Sequence, residues 1–167
     1  MSLVSFDLLA QQPLAATTVV GKPGAVYASR DALYVATRHN AYGMNNWYYE
    51  EAAGIEEATT FHKFALSAHD VSTAYAGSGV AKGRILNQFA MDEHRGYLRV
   101  ATTTGHLPSP DAYNSLSVLQ QANEGLEVIG LLDHIAPSED IRSVRFNGDV
   151  GYVVTFKKTD PLFVIDL

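Results

Sequence analysis

Along its length the chain sets short runs of β-branched and aromatic residues between clusters of Gly, Pro, Asn and Asp. No window sustains apolar residues at the i, i+3, i+4, i+7 spacing of an amphipathic helix, so the pattern predicts strands throughout. One unit recurs three times. In its first copy Val26-Tyr27-Ala28-Ser29 leads through a turn at Arg30-Asp31-Ala32 into Leu33-Tyr34-Val35-Ala36-Thr37. The second copy sets Asn87-Gln88-Phe89-Ala90-Met91, a turn from Asp92 to Gly96, and Tyr97-Leu98-Arg99-Val100-Ala101-Thr102. The third has Ser143-Val144-Arg145-Phe146, a turn through Asn147-Gly148-Asp149-Val150-Gly151, and Tyr152-Val153-Val154-Thr155. Each reads as a β-hairpin, because Asp, Asn and Gly tolerate positive φ or bond their own backbone at a tight turn.

A further strand follows each hairpin, over 60–66, 115–119 and 162–167, and a fourth follows the first two copies, over 74–86 and 126–132. Four antiparallel strands per repeat predict propeller blades. The expected fold is therefore all-β: a β-propeller fragment of about three four-stranded antiparallel blades, roughly 22–86, 87–140 and 141–167, with earlier strands from 3–21. Val4-Ser5-Phe6-Asp7-Leu8 resembles Phe163-Val164-Ile165-Asp166-Leu167, so the chain is expected to start and stop inside blades. The strand-ending threonines Thr37, Thr102 and Thr155 lie 65 and 53 residues apart. That exceeds the roughly 40 to 50 residues of common propeller repeats and predicts insertions. The largest is 39–58; shorter ones are 105–113 and the glycine-rich 77–83, which reads as a mobile hairpin tip.

Composition narrows the function classes. With 47% hydrophobic and 18% charged residues the chain is an ordinary globular protein, and its longest apolar runs fall far short of a membrane-spanning helix. The net charge is −6 and the twelve Lys and Arg are scattered, so the electrostatic footprint of nucleic-acid binding is missing. The absence of cysteine removes disulfides, thiolate metal sites and cysteine nucleophiles together.

The same hairpins carry a family resemblance. Val26-Tyr27-Ala28-Ser29, Thr60-Phe61-His62-Lys63-Phe64, Leu86 to Glu93, Gly96 to Thr103, Ser143 to Phe146, Gly151 to Phe156 and Asp160 to Leu167 resemble secreted bacterial and archaeal proteins. These have a C-terminal β-propeller domain distantly related to WD40 repeats. The resemblance covers nearly the whole chain and implies an internal fragment of a longer protein. It also implies an extracellular or cell-surface location, and it implies no particular activity.

Candidate chemistry is sparse. His39, His62, His69, His94, His106 and His134 include no pair at the i, i+4 spacing of a zinc protease motif. The turn acids Asp92-Glu93, Asp149 and Asp160 are the donors a calcium ion would draw on, but no stretch has the periodicity of a calcium loop. Side-chain bonds to the turn backbone account for them, and no cofactor is expected. Gly77-Ser78-Gly79 matches neither a nucleophile elbow nor a phosphate loop. The most function-like segment is the long insertion, whose Trp47-Tyr48-Tyr49 would bind a protein, a peptide or a sugar ring, or else fold back over a blade face.

These features predict a non-catalytic β-propeller scaffold for extracellular protein or small-ligand binding. The alternative is a metal-dependent, hydrolase-like propeller enzyme, which would need several carboxylates converging in the central channel. Three blades alone leave apolar flanks and strand edges open, so homo-oligomers are expected through those flanks.

Overall fold

A computed structural model of the chain describes residues 1–6, 15–40, 57–67, 73–123, 125–156 and 161–167. Strands β1 (Ser2–Ser5) and β2 (Ala15–Thr18) form an antiparallel pair. The first repeat is a meander of four: β3 (Val26–Ala28), β4 (Ala32–Asn40), β5 (Glu57–Leu66) and β6 (Thr73–Lys82). In the second, β7 (Arg84–Ile85) and β8 (Met91–His94) both pair with β9 (Tyr97–Thr104), followed by β10 (Tyr113–Ala122) and β11 (Gly125–Ile135). The third has three strands, β12 (Ile141–Asn147), β13 (Val150–Thr155) and β14 (Leu162–Asp166). The chain is thus all-β: β6 and β11 meet in parallel at Ser78 and Gly125, which joins β3 to β11 in one nine-stranded sheet of order β3-β4-β5-β6-β11-β10-β9-β7 with β8 beside β9, while β12-β13-β14 form a separate three-stranded sheet among the described residues.

Two buried clusters fill the core. Tyr34 of β4 and Phe61 of β5 are buried with Leu98 and Val100 of β9 and Leu119 of β10. Ala101 of β9 meets Ile141, Val144 and Val153 of the three-stranded sheet. Each fully buried Leu or Val in these seams contributes about 1.5 to 3 kcal/mol of transfer free energy. Polar latches join the same seams. Tyr34 Oη donates to Glu93 Oε1 at 3.0 Å, the Glu93 amide donates to Tyr27 Oη at 3.1 Å, and Ser29 Oγ donates to Glu93 Oε2. Arg99, almost wholly buried, donates through Nε to Asp92 Oδ2 at 2.9 Å and through Nη1 to the Gly148 carbonyl at 2.7 Å. Buried Asn114 holds the far end, accepting from Thr103 Oγ1 at 2.7 Å and donating to the carbonyls of Ile135 at 3.1 Å and Glu139 at 3.0 Å.

Four local expectations are corrected. Gly77-Ser78-Gly79 is not a hairpin tip but the interior of β6, opposite Lys63, His62 and Phe61. Gly77, at φ 122°, takes up a register shift, and Gly79 lets β11 cross closely, since a Cβ there would lie 2.3 Å from the Leu126 carbonyl oxygen. The strand expected over 74–86 ends at Lys82: Gly83, at φ 82°, turns the chain, and Arg84–Ile85 pairs with β9 at the far edge of the sheet. The strand expected at Asn87 to Met91 is a 3-10 turn over Gln88–Ala90, started by the Asn87 side chain accepting from the Phe89 amide at 2.9 Å. Strand β8 begins only at Met91, and the turn it enters is Arg95-Gly96 rather than 92–96, both residues at positive φ as a tight hairpin requires.

Candidate functional site

Trp47, Tyr48 and Tyr49 lie outside the described residues, as do His69 and Asp160. The remaining histidines are dispersed and mostly engaged. His39 Nε2 lies 2.9 Å from Thr60 Oγ1, His62 Nδ1 3.1 Å from Tyr75 Oη, and His94 Nε2 3.1 Å from Asp149 Oδ1. Burial, and then the nearby His39, hold the His62 imidazole below its ordinary pKa. The turn acids do not gather either: Asp92 binds Arg99, Glu93 is held by Tyr34 and Ser29, and Asp149 faces His94 and Arg95. Burial and the facing Glu93 carboxylate push the Tyr34 phenol well above its ordinary pKa. Among the described residues no group of three or more His, Asp or Glu side chains is placed to hold a metal ion.

What the fold does bring together is the first strand of each repeat. Residues of β3, the 3-10 turn, β8 and β12 surround a cavity of about 340 Å³, lined by Val26, Tyr27 and Ala28, by Gln88, Phe89, Met91 and Asp92, and by Arg145 and Phe146. The 3-10 turn makes this site. By interrupting the inner strand of the second repeat it carries Phe89 outward, 49% exposed, where the Arg145 guanidinium stacks 4.1 Å from its ring centroid. Tyr27 is half-buried in the wall, and burial raises its phenol pKa, so it stays protonated at neutral pH.

The sequence model of a β-propeller domain family matches residues 1–167, the whole chain. The chain belongs to the β-propeller domain family. An uncharacterised protein of Methanocaldococcus jannaschii is 44% identical over 121 residues, covering 72% of this chain and 18% of the relative. An uncharacterised protein of Archaeoglobus fulgidus is 42% identical over 125 residues, covering 74% of this chain and 18% of the relative. The matched part of the chain thus spans about a fifth of the length of these curated relatives. No solved structure matches it. The cavity bounded by β3, the 3-10 turn, β8 and β12 is the inner cavity of the described chain.

A second, outer cavity of about 260 Å³ lies at the β9–β10 connection, against Pro110, Asp111, Tyr113, His134 and Pro137. There the His134 ring stacks on Tyr113 at 4.2 Å, with its Nδ1 3.2 Å from Asp133 Oδ2. The inner cavity differs in offering an exposed aromatic face together with an exposed guanidinium and carboxamide. No spacing in the sequence relates Tyr27, Phe89 and Arg145, and Phe89 reads there as one more strand residue.

No helix among the described residues is long and apolar enough to cross a membrane.

Proposed function

We propose that this propeller chain is a non-catalytic binding scaffold whose ligand site is the cavity where the first strands of its blades converge. The observation that carries this reading is Phe89, a large aromatic side chain held half-exposed by a purpose-shaped turn inside a concave wall. Exposed aromatics in concave, largely apolar sites are the usual anchors of ligand recognition. In this reading the domain acts outside the cell or at its surface, as the resemblance to secreted propeller proteins implies, and Trp47, Tyr48 and Tyr49 contribute a further recognition loop.

A fragment library screened by thermal shift tests the site, because a ligand that binds only the native state raises Tm. Fragments that stabilise the wild type and lose that effect in Phe89→Ala support the reading; fragments that stabilise both proteins alike contradict it. Phe89 is half-exposed, so the substitution leaves the core in place.

The blade flanks suggest self-association. Strand β14 pairs with β13 alone among the described strands, and its Leu162 and Val164 are 55% and 63% exposed. Antiparallel pairing of β14 with the same strand of a second copy, centred on Val164, would give the open edge of each a partner through a two-fold contact. Light scattering that gives a dimer, reduced to monomer by Val164→Lys, supports this contact, and a monomeric wild type contradicts it.

A further inference from the structure

The chemical class of the ligand can be read from the charges around the inner cavity, an inference that rests on that cavity being the ligand site. Arg38, Arg84, Arg95 and Arg99 each have a carboxylate partner. Arg145 forms no ion pair with a carboxylate among the described residues; its Nη1 donates to the Val144 carbonyl at 2.9 Å, and its Cζ lies 4.1 Å from the Phe89 ring centroid. The carboxylate in the lining, Asp92, is already occupied by Arg99, so it does not neutralise Arg145. A guanidinium has five N–H donors in a rigid fork, and stacking one face on an aromatic ring leaves its edge free for a planar, bidentate acceptor.

Two more donors border the same space. Gln88 is exposed at the lip, and Tyr27 Oη accepts the Glu93 amide proton, which leaves its own proton to give. Beside these groups the wall is apolar, formed by Val26, Ala28 and Phe146. At about 340 Å³ the cavity is at the small end of ligand sites and admits a compact body rather than a polymer segment.

We propose that the inner cavity binds a small aromatic carboxylate, its oxygens bridged by Arg145 with Tyr27 or Gln88 and its ring against Val26, Ala28 and the free edge of Phe89. A free inorganic anion would use the donors but not the apolar wall, and a neutral ring the reverse.

Calorimetric titration of the chain at pH 7 and low salt with benzoate, benzyl alcohol and acetate separates these cases. The proposal requires benzoate to bind at least about tenfold more tightly than either, the margin expected for hydrogen bonds to a charged group. It also requires Arg145→Gln to bring benzoate down to the level of benzyl alcohol while leaving benzyl alcohol unchanged. If benzoate and benzyl alcohol bind equally to the wild type, the cavity is a ligand site and the carboxylate preference is wrong. If acetate matches benzoate, the site is a plain anion site and the aromatic requirement falls. If none of the three binds, the carboxylate proposal falls, and the cavity stands or falls separately on the thermal-shift screen.

Discussion

Lys82 and Asp133 show how side chains that look unremarkable in sequence become coupled by the fold. They sit on neighbouring strands of the nine-stranded sheet, β6 and β11, and form an ion pair flanked by Ser115 and by the face of Tyr113. Burial alone would raise the Asp133 pKa, but the hydrogen bonds from Lys82 and Ser115 outweigh it and hold the carboxyl below its ordinary value of 3.8. A carboxyl whose pKa is lowered by folding adds stability above the unfolded value and loses it as pH falls through that value toward the folded one. Denaturant midpoints should therefore drop more steeply below pH 3.8 in the wild type than in Asp133→Asn, while at neutral pH the variant is weaker by under about 1 kcal/mol, as suits a partly exposed pair. Equal slopes in the two proteins would show that the pair does not contribute. The residue types at turns were legible beforehand: Asp, Asn and Gly do sit at the hairpin ends. Their partners were not, because Asp92 with Arg99 and Asp149 with His94 are set by how strands and blades meet.

At the scale of elements, the first and third hairpins and the strand behind each of the three hairpins stand where composition placed them, because β-branched and aromatic runs between turn residues need little context. Period-2 alternation helped less. Strand β4 buries Val35, Ala36 and Thr37 in succession, as a strand covered on both faces must, whereas β13 and β14 of the three-stranded sheet alternate cleanly. Two misreadings have one physical cause: a local signal was overruled by a neighbouring strand. Glycines at 77 and 79 suggest a loop in isolation, yet there they admit a bulge and the close passage of Leu126. Asn87 through Met91 suggests a strand, yet the Asn87 side chain captures the Phe89 amide and winds one turn of 3-10 helix. That second misreading hid the site, since the turn is what turns Phe89 toward the cavity.

For the whole molecule, self-similarity made the propeller architecture readable from the repeats alone, and the family match over residues 1–167 agrees with it. The inner cavity was not readable. Tyr27, Phe89 and Arg145 come from three chain-distant segments, and only the packing of those segments brings them within one space. That convergence is the central claim, and amide chemical-shift mapping with a stabilising fragment tests it most directly. Shifts that move together at 26–28, 88–92 and 145–146 would show three chain-distant segments sharing one ligand. Shifts confined to a single one of these segments, or to the outer cavity at 110–113 and 134–137, would contradict it.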